Sequence, residues 1–355
     1  MRVLSDDDVA SVLDLEALLE VVDEAFRKQG RGEVERPDRP HFPVGTGLTV
    51  PAPEGSDDGE LGGSDGDESG GSDGGESGGN GSVAGPFGTA LVMPAYVHGA
   101  ETYATKLAAV HENNPGRGLE TVNATIALTD AATGLPVAYL SGSRITNART
   151  GCIGGVAARA LATDGPVTLG VIGAGRQARW QVRAIDAATD LDRVRVYSPS
   201  DSRNECAETL RSEGIDATAV DSPRAAVAGA TVVVTATPAS EPVFDGADLE
   251  PGALVVAIGA YDESMRELDA ETIRRADRLF GDVPSEAAHT GDIPDDVTAA
   301  DLTPLSAALE GTAGRGSDAE VIVVESVGSA VLDAAAAEHL YTEAQRRGVG
   351  RDVDV

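Results

Sequence analysis

The chain has 355 residues and a formal net charge of −32, from 59 acidic and 27 basic side chains. That acidity disfavours a nucleic-acid partner, because a phosphate backbone would be repelled. Two cysteines, Cys152 and Cys206, and five scattered histidines exclude a disulfide scaffold and give no metal-ligand spacing.

Lysine occurs only at positions 28 and 106, so the remaining bases are arginines. An acidic, lysine-poor surface stays hydrated when salt screens charge to a few ångströms, and it points to a halophile's cytoplasmic protein. The first residues lack a basic segment followed by an apolar run, so no signal peptide is expected. No run approaches eighteen consecutive apolar residues, so no membrane span is expected.

In chain order, residues 14–30 place Leu15, Leu18, Leu19, Val22, Ala25 and Phe26 at helical spacing, with Gly30 as the stop. A proline-rich connector follows over 36–43. Residues 54–85 are an insert of Gly, Ser, Asp and Glu with nine acids and no base. It has nothing apolar to bury and is expected to be a disordered surface insertion. Strand-like runs cover 89–97, 102–110, 121–129 and 135–140, the last two joined by a turn at 130–134. A helix is expected over 146–162. From 167 onward strand and helix alternate, with strands near 167–173, 193–198, 231–237, 253–259, 278–281 and 320–326, which reads as a parallel, doubly wound sheet. An Ala-rich helix over 328–347 is expected to return to the first domain. The fold class is therefore α/β: a Rossmann doubly wound parallel sheet plus an α+β substrate-binding and dimerisation domain. The division is 1–150 with 328–355 for the latter and 151–327 for the former.

The apolar strand 167–172 runs into Gly173-Ala174-Gly175-Arg176-Gln177-Ala178, with a helix behind it. Gly173 permits the tight turn, Gly175 lets the backbone approach a pyrophosphate, and Ala178 is small enough for helix and strand to pack closely. The phosphates would sit on the helix N-terminus, where free N–H groups favour anions. At the end of the second strand, Ser198 stands where an NAD-preferring site usually has a carboxylate for the ribose 2′-hydroxyl. Ser200 and Arg203 follow and suit a 2′-phosphate, though Asp201 stands close enough to oppose it. This leans the position toward NADPH, with NAD the alternative.

Several segments in order resemble the ornithine cyclodeaminase/mu-crystallin family: Tyr103-Ala104-Thr105-Lys106, Gly118-Leu119-Glu120-Thr121-Val122-Asn123, Asn147-Ala148-Arg149-Thr150, the glycine motif, Arg266-Glu267-Leu268-Asp269 and Glu325-Ser326-Val327-Gly328. With the acidic composition, the chain resembles a haloarchaeal-type member. The resemblance implies a homodimer whose substrate domain is built from both chain ends. It also implies that Lys106 contacts a substrate carboxylate. Arg149, read as opening the helix before the first Rossmann strand, would bridge that carboxylate and the cofactor, work suited to a planar bidentate donor. Arg39 matches a basic substrate-binding position and Thr121 a cofactor-contacting threonine. Arg176, Gln177, Thr235, Thr237 and Val327 complete the candidate cofactor set.

One departure bears on the reaction. Ornithine cyclodeaminases and the family's alanine dehydrogenases carry an Asp directly after the Gly-Ala or Gly-Gly that closes the fifth Rossmann strand. Here the sequence is Gly259-Ala260-Tyr261-Asp262, which places Tyr261 there and Asp262 one residue late. Cyclodeamination needs a carboxylate to shuttle protons. Reduction of a preformed imine needs a carboxylate clamp, a hydride donor and one proton source, here Tyr261, Asp262 or a water they hold. The favoured reading is an NAD(P)H-dependent reductase of small α-imino acids, such as Δ1-pyrroline-2-carboxylate or the imine of pyruvate. Ornithine cyclodeaminase and a non-catalytic cofactor-binding protein are the alternatives.

Overall fold

The computed structural model describes residues 1–51 and 82–354. The chain opens with β1 (Arg2–Leu4), α1 (Asp6–Val12) and α2 (Leu15–Gly30). Asp14 caps α2 by accepting from the Ala17 N–H, and Leu18, Leu19, Val22 and Phe26 form its buried face. Next come β2 (Val34–Glu35), β3 (His41–Val44), β4 (Thr49–Pro51), β5 (Ser82–Ala84), β6 (Gly88–Val97), β7 (Thr102–Val110), β8 (Val122–Asp130) and β9 (Pro136–Ser141). Together with β18 (Arg351–Asp352) they form a mostly antiparallel sheet, ordered β18-β1-β9-β8-β7-β6-β2 with β3 also on β6, while β4 and β5 pair separately. Residues 54–81 of the acidic insert lie outside the described residues. Its expected end is corrected: residues 82–84 are a strand, because β5 finds a partner ladder in β4.

The helix expected from 146 starts four residues earlier, as α3 (Gly142–Leu161). Arg149 therefore lies two turns inside α3 rather than opening it. The expected domain boundary at 150 falls within this one continuous helix.

The second sheet is built from β10 (Val167–Ile172), α4 (Arg176–Ala188), β11 (Leu191–Tyr197), α5 (Ser202–Ser212), β12 (Ala217–Ala219), α6 (Pro223–Val227), β13 (Val232–Thr235), β14 (Leu254–Ala257), α7 (Ala270–Arg275), β15 (Arg278–Gly281), α8 (Pro284–Ala287), β16 (Thr303–Pro304), α9 (Leu305–Leu309) and β17 (Ile322–Glu325). All its pairings are parallel, in the order β12-β11-β10-β13-β14-β17-β15-β16. Strand order reverses between β10 and β13, the crevice where doubly wound sheets bind ligands.

The two faces of this sheet feed different cores. Val232, Val234, Leu254 and Val256 pack in the larger core with α3 and α4, while Val233, Val255 and Ala257 pack on the other side with α6. Burial on both faces explains why the strands read as continuous apolar runs rather than alternating ones. The larger core continues through α2 and α10 (Ala330–Arg347) onto the inner face of the antiparallel sheet, where it includes Met93, Ala104, Ile126 and Leu140. Close packing of α3 on α4 needs glycine: a Cβ at Gly155 would lie 2.7 Å from the Ala184 carbonyl oxygen.

Candidate active site

The glycine turn after β10 has the geometry its sequence implies. Gly173 has φ +109°, and a Cβ there would lie 2.5 Å from the Ala236 carbonyl oxygen. A Cβ at Gly175 would meet nothing within 4 Å, so its bare backbone borders open space. Ala178 is fully buried beneath it. Gly173 and Gly175 edge a cleft of about 540 Å³, lined also by Tyr197, Ser198 and Thr237. A narrow turn, open space at the second glycine and the N-terminus of a thirteen-residue helix suit a dinucleotide's pyrophosphate.

At the end of β11 three hydroxyls converge: Ser198 Oγ lies 3.2 Å from Ser202 Oγ, which lies 2.7 Å from Ser200 Oγ. Ser202 was not singled out from the sequence. Arg203 does not stand free beside them. Its Nη1 donates to the Ser198 and Ser200 carbonyls at 2.9 and 3.3 Å, bracing the loop from behind.

Other candidates divide. Thr237 lines the cleft, and its backbone N–H and hydroxyl donate to Glu267 Oε1 at 2.7 and 2.8 Å. Thr235 is corrected as a cofactor contact: fully buried, its hydroxyl donates to Glu267 Oε2 at 2.9 Å. Glu267 thus ties the ends of β13 and β14 together, also accepting from the Gly259 N–H at 2.7 Å. Arg176 forms an ion pair with Glu120, next to Thr121 in the loop before β8. Gln177 donates to Asn147 Oδ1 on α3 at 2.7 Å.

A second cluster sits where β7, α3 and α10 meet. Lys106 is on an interior strand, paired through Met93 of β6 and Ile126 of β8, and its side chain faces the helices. Its Nζ donates to Asp333 Oδ2 at 2.5 Å, while Arg149 Nε donates to Asp333 Oδ1 at 2.8 Å. All three side chains are at least 95 % buried. Burial lowers the Lys106 ammonium to about 8; Asp333 opposes that fall, and Arg149 and Arg39 add to it. Burial works to raise the Asp333 carboxyl, but Arg149 and Lys106 outweigh it and hold the group below its ordinary value. Arg149 Nη1 is buried with no partner among the described residues. Asp333 was missed from the sequence, although a lone acid within Val331-Leu332-Asp333-Ala334-Ala335-Ala336-Ala337 was a signal.

Arg39 joins this cluster to the other sheet. Its Nη1 donates to the Val327 carbonyl at 3.1 Å, and its Nη2 lies 2.7 Å from Glu286 Oε2. Glu286 also pairs with Arg36. The turn carrying Val327 is held by buried Asp282, which accepts from the backbone N–H groups of Val327 and Gly328 at 3.1 and 2.8 Å.

Tyr261, Asp262 and Arg39 line one cavity of about 730 Å³, with Leu91 and Val110 on its wall. Tyr261 is 42 % exposed. Burial, then Asp262 and Glu112, push its phenol above the ordinary value. Asp262 Oδ1 accepts from the Ser264 N–H and hydroxyl at 2.8 and 2.6 Å, so it caps its own loop. Among the described residues no helix is long and apolar enough to cross a membrane. No group of three or more His, Cys, Asp or Glu there could hold a metal ion.

Fold and site define a Rossmann-type dinucleotide-binding protein that also carries a buried Lys106–Asp333–Arg149 cluster where β7, α3 and α10 meet. The profile of the ornithine cyclodeaminase/mu-crystallin family matches residues 83–348, and the chain belongs to that family. A Δ1-pyrroline-2-carboxylate reductase of Bacillus cereus (strain ZK / E33L) is 34 % identical over 276 residues, which are 75 % of this chain and 85 % of that protein. The Thermococcus litoralis Δ1-pyrroline-2-carboxylate reductase, solved in complex with NADH and L-proline, superposes with a TM-score of 0.84 at 29 % identity, covering 99 % of this chain and 100 % of that one. An archaeal alanine dehydrogenase dimer with bound NAD gives 0.81 at 25 % identity, covering 100 % and 99 %.

Proposed function

We propose that this chain is an NAD(P)H-dependent reductase of small α-imino acids, with Δ1-pyrroline-2-carboxylate as first candidate and the imine of pyruvate and ammonia as second. The observation that carries this reading is the buried Lys106–Asp333–Arg149 cluster; Tyr261, which gap-free counting along the sequence puts at the family's Asp position, lines a cavity with Arg39. Both similar solved proteins hold a nicotinamide cofactor in their structures.

Lys106 and the free edge of Arg149 take the substrate carboxylate, with Arg39 closing the side toward Val327. Gly173, Gly175 and the N-terminus of α4 receive the pyrophosphate, with Arg176, Gln177, Ala178, Thr121 and Thr237 around it. Ser198 and Ser200 face the adenosine ribose or its 2′-phosphate. The cofactor, NADPH or NADH, supplies a hydride for the imine carbon when bound. The nitrogen needs one proton, and Tyr261, protonated throughout the neutral range, is suited to donate it rather than to accept one. Asp262, turned to its own loop, is a poor replacement for the missing shuttle, which weighs against ornithine cyclodeaminase.

The same reading assigns 1–150 with 328–355 to substrate binding and dimerisation and 151–327 to the dinucleotide. For the homodimer, Val3, Phe42, Tyr103, Leu107 and Tyr139 share the outward face of the antiparallel sheet by register, and each is 37–53 % exposed. An apolar sheet face of that kind needs a cover. The acidic, lysine-poor composition supports a halophilic cytoplasmic protein.

The test is kinetic. Lys106→Ala and Arg149→Ala are each expected to lower kcat/KM for Δ1-pyrroline-2-carboxylate about a hundredfold, since a charged contact to a buried carboxylate is worth ~2–3 kcal/mol. Near wild-type kinetics in either folded variant removes that residue from the site.

A further inference from the structure

We infer that Asp333 is the positioning residue of this site: it holds Lys106 charged and aims Lys106 and Arg149 at one point, so that the two cations act as a single carboxylate clamp. This rests on the reading of Lys106 and Arg149 as substrate-binding groups.

The geometry makes the argument. Each carboxylate oxygen takes one cation, Oδ2 from Lys106 and Oδ1 from Arg149 Nε. The contact to Arg149 uses the Nε side and leaves Nη1 buried and unpartnered among the described residues. A cluster built only for stability would not be made this way. Burying charge is costly, and apolar side chains of similar volume usually do as well or better. A buried guanidinium nitrogen left without an acceptor is open to an arriving anion.

Asp333 is well placed for the task. It sits in the first turn of α10, whose N-cap Ser329 accepts from the Val331 N–H, so the helix N-terminus favours its negative charge. The groups facing Lys106 are the cations Arg149 on α3 and Arg39 before β3, Asp333 on α10, and the neutral Met93 and Ile126 on its neighbouring strands. Asp333 is thus the anion within reach that offsets burial and two guanidinium groups. Without it, Lys106 would lose its proton in the neutral range and could no longer pair with a carboxylate.

The chain has two lysines, which makes the inference directly measurable. In full-length protein carrying 13C at lysine Cε, two side-chain signals are followed against pH. Wild type is expected to show Lys106 titrating near 8. In Asp333→Asn that midpoint should fall by roughly one unit or more. The KM for Δ1-pyrroline-2-carboxylate should rise about tenfold while kcat changes less than about threefold, as expected for lost ground-state binding. NADPH affinity should be unchanged. If Asp333→Asn does not fold, Asp333→Glu keeps the charge on a longer arm: the Lys106 midpoint should stay and KM should still rise several-fold. An unchanged Lys106 midpoint in Asp333→Asn, or an unchanged KM in Asp333→Glu, overturns the inference. Because the lysine titration needs no turnover, it decides the matter even if the imine is not the substrate.

Discussion

Gly328 is the floor under Arg149: a Cβ at 328 would stand 3.0 Å from Arg149 Nη1, a buried guanidinium nitrogen with no partner among the described residues. Gly328 also has φ +77°, a conformation that side-chain-bearing residues rarely adopt. Gly328→Ala is therefore expected to strain the turn and push the guanidinium off its line. We predict a fall in kcat/KM of roughly thirtyfold, on the scale of ~2 kcal/mol, carried mainly by KM. A variant with unchanged KM would show that the close approach is incidental.

Activity and stability should respond oppositely to pH through Lys106. Its folded value, near 8, lies below its ordinary 10.5. Below about 8 the ammonium is charged and the clamp is complete, so KM should be flat, then climb by up to about tenfold per unit as pH rises past that point. For folding the sign reverses. Between about 8 and 10.5 the unfolded chain binds more protons than the folded one, so this group's contribution to stability rises with pH there. A KM that stays flat well above pH 9 would contradict the assignment.

Asp292 carries a separate prediction for the scaffold. Its Oδ1 accepts from the backbone N–H groups of Glu267 and Leu268 at 2.5 and 2.6 Å, while Oδ2 is buried without a partner among the described residues. Burial raises the carboxyl to about 7, the two hydrogen bonds opposing the rise. An acid whose folded value lies above its unfolded one costs stability that grows as pH climbs from about 4 and is complete above about 7. Asn keeps the accepting oxygen without the charge. Asp292→Asn should raise Tm at pH 8 by about 2–4 °C, the shift expected for ~1 kcal/mol in a chain of this size or somewhat smaller. The gain should vanish near pH 4. A loss of stability at pH 8 would show that the charge is needed.

The proposed reading of cofactor preference at the end of β11 is open to a direct test. Ser198 lines the cleft, and its loop is braced by Arg203. Ser198→Asp should place a carboxylate where it can take a ribose 2′-hydroxyl and repel a 2′-phosphate. The ratio of kcat/KM with NADPH to that with NADH is expected to fall at least about tenfold. An unchanged ratio would mean that this loop does not read the ribose.

Much of this was legible in the residues. Lys106 stood out because lysine is so rare here, and the glycine turn after β10 declared itself through its apolar strand and following helix. The parallel strands were readable as apolar runs because both faces of the sheet are buried. Asp333 was hidden because α10 looks like an Ala-rich packing helix, and only three-dimensional closure brings it to β7 and α3. The start of α3 was obscured by Ser141-Gly142-Ser143, which reads as a loop until the sheet supports it. Arg203 and Thr235 show a different limit. The sequence offers a donor near a ligand, but the fold turns each toward its own scaffold.

The central claim, that this chain reduces an imine rather than deaminating ornithine, is tested most directly by supplying both substrates to the same purified protein at high KCl. Oxidation of NADPH or NADH is followed with Δ1-pyrroline-2-carboxylate, and ammonia release is followed with L-ornithine and NAD. Rapid cofactor oxidation with the cyclic imine and little ammonia from ornithine are expected if Tyr261 takes the position at which a cyclodeaminase keeps its carboxylate. Strong ornithine deamination by the wild type, lost in Asp262→Asn, would contradict it and assign the proton shuttle to Asp262.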